Sequence, residues 1–306
     1  MMDIYLAEPR GFCAGVRRAI FMVENALVQY GAPVYVRHEI VHNKHVIADL
    51  TAKGAVFIEE LDEADSRRPV IFSAHGISQK VTEEAAARGL TTIDATCPLV
   101  EKVHREVRRF QDENIEIIVI GKQNHPEIIG TVGQVSPERK VHIIYTLEEA
   151  RKLDIPSEAR VGFVTQTTLS IDDTQEIIAY LKQRFPHICG LPKADICYAT
   201  TNRQTAVKEL IKSTPNIVIL GSKNSSNSRH LKETALKNGA QRAWLVDDWR
   251  ELDWAEIDGL DSLGISAGAS APEYLVEELL AELARRYDNI NKHRVIIAEE
   301  SVNFKL

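Results

Sequence analysis

Short apolar runs alternate with longer stretches of helical period along the whole chain. The runs DIYLAEP, VYVR, PVIFSA, TTID, IEIIVIG, VHIIY, VGFVT, NIVILG, RAWLV and LGISA read as buried or half-buried strands. Between them, LVEKVHREVRRF, VTEEAAARG, DDTQEIIAYLKQRF and EYLVEELLAEL carry apolar residues at spacings that give one buried helical face. Strand and helix alternating in this way predict an α/β fold with a parallel sheet and helical crossovers.

Three strand-to-helix corners share one feature, a cysteine: GFCAGVRRAI with Cys13, DATCPLV with Cys97 and DICYATTNRQTAV with Cys197. Pro98 suits the first turn of a helix, where its missing N–H is not needed. That places each sulfur near a helix N-terminus, where free N–H groups and the dipole favour a thiolate. The corners recur at domain-sized intervals, 84 residues (97 − 13) and 100 residues (197 − 97).

Other positions recur in register. Counting from each cysteine, a strand-like run ends in a polar loop at His42 (+29), at His125 (+28) with Glu127 (+30), and at Ser225 (+28) with Asn227 (+30). Short strands with acidic helix starts follow at Leu61, Leu147 and Asp247, and a second set of loops carries His75, Thr167 and Ser270. We therefore expect three α/β repeats, 1–92, 93–192 and 193–284, each roughly 90–100 residues, and a tail, 285–306, outside the repeat. Ligands of such sheets gather beyond the carboxyl ends of the strands, where all these loops fall. Chemistry is the reason to expect the three domains to meet around a pseudo-threefold axis with a central metal cluster. In the tail, VIIAEES reads as an added strand or an edge cover.

Composition narrows the function. Of 306 residues, 44% are hydrophobic and 26% charged, an ordinary globular balance. The formal charge of −7 argues against nonspecific nucleic-acid binding, so a phosphate ligand would need local donors. No apolar run approaches membrane length and MMDIYLAEPRG lacks leader character, so a cytoplasmic protein with no membrane partner is expected. Four cysteines at wide, irregular spacing do not make a disulfide framework.

One cysteine at such a corner reads as a small buried hydrophobe, whereas three in equivalent corners read as a shared metal site. Cys189, with no counterpart, reads as structural. Three thiolates leave one position open, which fits a 4Fe-4S cluster and equally a zinc ion carrying water. His42, His75 and His125 occupy equivalent strand ends and read as binding residues; His104, within a helix, reads as a surface residue. Ser225, Ser226 and Asn227 form a dense donor set at a helix entrance, suited to anionic oxygen. Neither GxxxxGK[ST] nor GxGxxG follows a strand.

The motifs GFCAGVRRA, HGIS, DATCPLV, HPE followed by GTVGQ, TQTTLS, CYATTNRQ, SKNSSNS and AGASAPE resemble, in order from about Cys13 to about Glu273, those of the 4-hydroxy-3-methylbut-2-enyl diphosphate reductase family. The resemblance implies a trefoil of three α/β domains and one 4Fe-4S cluster on Cys13, Cys97 and Cys197. It implies an oxidoreductase ending the methylerythritol phosphate route to isoprenoids. His42, His75, Ser225, Ser226, Asn227 and Ser270 would hold the diphosphate of a small allylic substrate. His125, Glu127 and Thr167 would surround its hydroxyl, and flavodoxin or ferredoxin would supply two electrons. Glu127 is expected to be the proton source: negative neighbours and desolvation would keep it protonated near neutral pH, and Thr167 suits a relay. Two rivals are a zinc hydrolase of a phosphate ester and an iron–sulfur sensor of a diphosphate metabolite.

Overall fold

The structure, a computed structural model, describes residues 2–190 and 195–305. The alternation read from the sequence is realised as three passes of one pattern. The first is β1 (Met2–Glu8), α1 (Ala14–Tyr30), β2 (Val34–Arg37), α2 (Lys44–Ala52), β3 (Ala55–Ile58), β4 (Val70–Phe72) and α3 (Gln79–Ala87). The second is β5 (Thr92–Asp94), α4 (Pro98–Asp112), β6 (Glu116–Ile120), α5 (Pro126–Val132), β7 (Val141–Ile144), α6 (Leu147–Arg151), β8 (Val161–Thr165) and α7 (Ile171–Arg184). The third is α8 (Tyr198–Leu210), β9 (Asn216–Leu220), α9 (Ser226–Lys237), β10 (Arg242–Val246), α10 (Trp254–Ile257), β11 (Ser262–Ala267), α11 (Tyr274–Arg286) and β12 (Ile290–Ile296). Lys193 and Ala194, which open the KADI lead-in to Cys197, lie outside the described residues, as does the expected boundary at 192/193.

Among the described residues the fold is α/β with three small sheets, ordered β3-β2-β4-β5, β7-β6-β8 and β10-β9-β11-β1-β12. Every strand pair among the described residues is parallel. The strands that lead into Cys97 and Cys13 pair with strands from elsewhere in the chain, β5 with β4, and β1 with β11 and β12. Beside β8 there is a single bridge, Gly162 to Cys189. Cys189 N–H donates to the Val161 carbonyl at 2.8 Å, and its carbonyl accepts from Phe163 N–H at 2.9 Å. Burial pushes its thiol pKa up. The backbone of Cys189 thus stands in for a strand at this edge.

The chain divides into two compact units: residues 2–17, 42–48 and 198–305, and residues 18–41, 49–190 and 195–197. In the first, β9 is buried on both faces. Val218 and Leu220 pack with Ile4, Leu263, Leu275 and Leu279, while Ile217 and Ile219 pack with Val207, Leu210 and Leu231. In the second, Ile118 and Ile120 join Phe163 and Leu181, while Ile117 and Val119 join Val103, Val107 and Phe110. Two buried faces explain why NIVIL and EIIVI are continuous apolar runs rather than alternating ones.

The tail adds a strand, but earlier than VIIAEES suggests. β12 runs Ile290–Ile296 and pairs with β1 over seven residues, from Met2↔Ile290 to Glu8↔Ile296. Arg294 caps this pairing with a bidentate ion pair to Glu8. Among the described residues, no helix is long and apolar enough to cross a membrane.

Candidate active site

All three cysteine corners are built the same way. Cys13, Cys97 and Cys197 each stand immediately before a helix, α1, α4 and α8. Each cysteine N–H donates to a carbonyl in the loop just after a strand: Cys13 to Ala269 after β11 at 3.1 Å, Cys97 to Ala74 after β4 at 3.0 Å and Cys197 to Thr167 after β8 at 3.0 Å. The loops so gripped carry Ser270, His75 and Thr167. Cys97 is the N-cap of α4 with Pro98 in its first turn, as the pattern predicted. The Cys13 sulfur accepts from the Val16 N–H at 3.5 Å. All three thiols are unbridged and partly buried. Among the described residues, no three His, Cys, Asp or Glu side chains are grouped as a ready metal site.

In the second unit a buried carboxyl, that of Glu127, sits in a defined cradle. Strand β6 ends in a loop whose His125 is the N-cap of α5, with Pro126 in the first turn. His125 Nδ1 accepts from the Glu127 N–H at 3.1 Å, so a neutral ring carries its proton on Nε2. Glu127 is 2% exposed. The loop after β8 brings Thr167 to it: the Thr167 N–H donates to Oε1 at 2.6 Å and Thr167 Oγ1 to Oε2 at 3.0 Å. Burial outweighs both hydrogen bonds and raises the carboxyl pKa to about 7, and the nearby Asp195 carboxylate adds to the rise. Asp195 accepts from the Thr165 N–H at 3.0 Å and is itself pushed up to about 6 by burial.

His75 belongs to the same unit. Its ring meets that of His125 edge to face, centroids 5.8 Å apart, and Ser73 Oγ lies 3.4 Å from its Nδ1. A seam of small residues holds the HGIS loop on α5. A Cβ on Gly130 would lie 3.1 Å from the Gly76 carbonyl, and Gln134 Nε2 donates to the Ile77 and Gly130 carbonyls at 2.5 and 3.1 Å. Beneath this loop sits His104. It is not a surface residue: it is 2% exposed, and a Cβ on Gly76, whose φ is +80°, would fall 2.5 Å from its ring. Burial lowers the His104 pKa to about 4, leaving the ring neutral. Its helical position hid this, because Val100, Val103 and Val107 define the same buried face.

The first unit gathers the other polar loops at the N-terminus of α9. Ser225 is the N-cap, its Oγ accepting from the Ser228 N–H at 3.4 Å. Ser270 Oγ donates to the His42 carbonyl at 3.0 Å and lies 3.5 Å from Ser225 Oγ. Asn227 Oδ1 accepts from the Ala269 N–H at 2.9 Å, and its Nδ2 donates to Thr200 Oγ1 at 3.4 Å. Ser226 Oγ lies 3.4 Å from His230 Nδ1. His42, Ser225, Ser226, Asn227 and Ser270 thus share one unit, and His75, His125, Glu127 and Thr167 the other. Reading the sequence missed Asp195, Thr200, Gln134 and His230. Thr200 and Gln134 lie inside the quoted CYATTNRQ and GTVGQ motifs, yet no spacing rule reveals their partners.

Residues 4–284 match the family model described as LytB protein. A 4-hydroxy-3-methylbut-2-enyl diphosphate reductase of Ruegeria sp. (strain TM1040) is 51% identical over 310 residues, covering 100% of this chain and 96% of its own. One from Gluconobacter oxydans (strain 621H) is 52% identical over 309 residues, covering 100% and 91%. The solved E-1-hydroxy-2-methyl-but-2-enyl-4-diphosphate reductase of Plasmodium falciparum superposes with a TM-score of 0.95 at 39% identity, covering 100% of this chain and 95% of that one. These matches span every motif named above, and the chain belongs to the LytB family of 4-hydroxy-3-methylbut-2-enyl diphosphate reductases.

Proposed function

We propose that this chain reduces 4-hydroxy-3-methylbut-2-enyl diphosphate with two electrons and two protons. The hydroxyl is expelled as water, and isopentenyl and dimethylallyl diphosphates are formed. This is the last step of the methylerythritol phosphate route. The reading is supported by the full-length likeness to reductases of that name. The observation that carries the mechanism is the Glu127 cradle, a buried carboxyl whose pKa is raised to about 7, so that a substantial share of it carries a proton at neutral pH.

Hydroxide is a poor leaving group, so a proton must reach its oxygen as the C–O bond breaks. When Glu127 is protonated, its O–H donates to Thr167 Oγ1, which frees the threonine hydroxyl to donate onward to the departing oxygen. The hydrogen bonds at 2.6 and 3.0 Å hold donor and relay in one orientation. His125, fixed by the Glu127 N–H, presents Nε2–H as a second donor. His42, His75, Ser225, Ser226, Asn227 and Ser270 bind the diphosphate, with the N-terminal N–H groups of α9 adding to the field. This anchor fixes the allylic chain for reaction.

The cysteines suit a 4Fe-4S cluster. Cys13, Cys97 and Cys197 are unbridged and partly exposed, each at a helix start. When bound, the cluster supplies single electrons and Lewis acidity. Flavodoxin or ferredoxin is the donor we favour, in the cytoplasm, and we retain 1–92, 93–192, 193–284 and 285–306 as the division of the chain. Anaerobic purification with iron, zinc and acid-labile sulfide analysis tests the cofactor. A colourless, zinc-containing protein would overturn this reading in favour of a hydrolase.

A further inference from the structure

The NR of CYATTNRQ and the C-terminal tail have no part in the function described so far, and the fold joins them. Arg203 on α8 is fully buried, and every N–H of its guanidinium group has an acceptor within reach. Nε and Nη2 donate to the Gly11 carbonyl at 3.0 and 2.7 Å. Nη1 donates to the Ala199 carbonyl at 2.9 Å, within its own helix. The remaining acceptor is Glu300, in the tail, at 2.9 Å from Nη1 and 3.3 Å from Nη2, and Asn202 Nδ2 donates to the same carboxylate at 3.1 Å.

Gly11 stands two residues before Cys13, and its backbone is held at each end. Its N–H donates to the Ala267 carbonyl at 3.1 Å, its carbonyl takes both Arg203 donors, and the Cys13 N–H is held by Ala269. Gly11 has φ +65°, and a Cβ there would lie 3.2 Å from the Ala271 carbonyl oxygen, so the turn is specified by glycine and by the clamp. The carboxylate that completes the clamp arrives on β12: seven residues pair with β1, and the Ile297 N–H then donates to the Glu8 carbonyl. A cavity of about 440 Å³ is bounded by Phe12, Arg17, Arg203, Glu299 and Glu300, so the tail forms a wall beside the chain entering Cys13.

We infer that the tail completes the Cys13 corner, with Glu300 as a positioning residue that holds Arg203 on the Gly11 carbonyl and so fixes the Cys13 thiolate. A buried guanidinium group without its carboxylate is left uncompensated and turns toward water or another acceptor. Two consequences follow if Cys13 holds the cluster, the reading on which this inference rests. The corner loosens and its wall opens, so iron escapes faster. One positive charge near Cys13 is also left unbalanced, which favours the reduced, more negative form of the group bound there.

The test compares wild type with Glu300→Gln, which keeps an acceptor oxygen but removes the charge, and with a chain ending at Ile297, which retains β12. All three are prepared anaerobically. Iron content, the rate of iron loss to a chelator, the midpoint potential and the melting of the iron-free protein are measured. We expect Glu300→Gln to bind iron, to lose it several-fold faster and to show a raised potential, with the truncated chain losing iron faster still. A variant that melts lower but keeps wild-type iron loss and potential makes Glu300 merely structural and overturns the inference. Unchanged behaviour in both variants also overturns it. A wild-type chain that binds no iron refutes the cluster reading itself, which separates the two failures.

Discussion

Glu127→Gln is the substitution that isolates proton delivery from everything else this side chain does. Both Glu127 oxygens are engaged, Oε1 by the Thr167 N–H at 2.6 Å and Oε2 by Thr167 Oγ1 at 3.0 Å. A glutamine amide oxygen can accept from the same N–H, and its amide N–H can donate to Thr167 Oγ1, which then accepts. The cradle keeps its two hydrogen bonds, so the structural change should stay within about 1 kcal/mol. What is lost is the acid. Positioned general acids contribute about 10²- to 10⁴-fold, or about 2.7–5.4 kcal/mol at about 1.36 kcal/mol per tenfold. The assay is anaerobic turnover at pH 7 with a chemical reductant, together with iron content and KM. We expect kcat to fall by about 10²-fold or more, with iron content and KM near wild type. In the wild type, turnover should decline as pH rises through about 7, where Glu127 loses its proton. A Gln variant turning over within a few-fold of wild type would refute the assignment and leave the diphosphate or a histidine as proton source.

Substitution of Cys13, Cys97 or Cys197 by Ser should each strip or damage the cluster, because alkoxide replaces thiolate poorly on iron; Cys189→Ser should retain wild-type iron and sulfide, since its backbone makes the bridge to Gly162. Asn227→Ala should raise KM for the diphosphate substrate by about 10-fold or more, the loss of a charge-assisted hydrogen bond, with a smaller change in kcat; unchanged KM removes Asn227 from the anchor. Stability should respond to pH with opposite signs at two buried groups. The folded chain keeps the Glu127 proton to about pH 7 while the unfolded chain releases it near 4.5, so this term favours the fold at low pH and is lost as pH rises between the two. His104, held near 4 against an ordinary 6.5, costs stability as pH falls from 6.5 toward 4. Melting midpoints from pH 4 to 7 for His104→Leu should therefore show a flatter acid limb than wild type; an identical slope would contradict the buried, neutral His104.

The strands and the cysteine corners were legible because both rest on local chemistry. Continuous Ile and Val runs announce strands buried on two faces, and Cys97 before Pro98 announces a helix start. Sheet membership was not legible. β1 lies in a sheet with β9, β10, β11 and β12, all more than 200 residues away in sequence, because parallel pairing depends on which edge the folded chain presents. Glu127 stood out through repeat register, a need for protons and the family resemblance. Its hydrogen bonds to Thr167, forty residues on, are not visible in a one-dimensional pattern. His104 was misread for the same reason: a polar residue on an apolar helix face looks solvated until the Gly76 loop is seen to cover it. The tail's link to the Cys13 corner was not legible, because Glu300 gains its role only from Arg203, 97 residues before it.

The central claim is that this chain spends two electrons to remove a hydroxyl from an allylic diphosphate. The most direct test is anaerobic incubation of the purified, iron-loaded chain with 4-hydroxy-3-methylbut-2-enyl diphosphate and reduced flavodoxin, with products separated and electrons counted. The account predicts isopentenyl and dimethylallyl diphosphates, two electrons consumed per product, and about four irons and four sulfides per chain. Inorganic phosphate released without electron uptake, or tight binding of the diphosphate with no product, would contradict it.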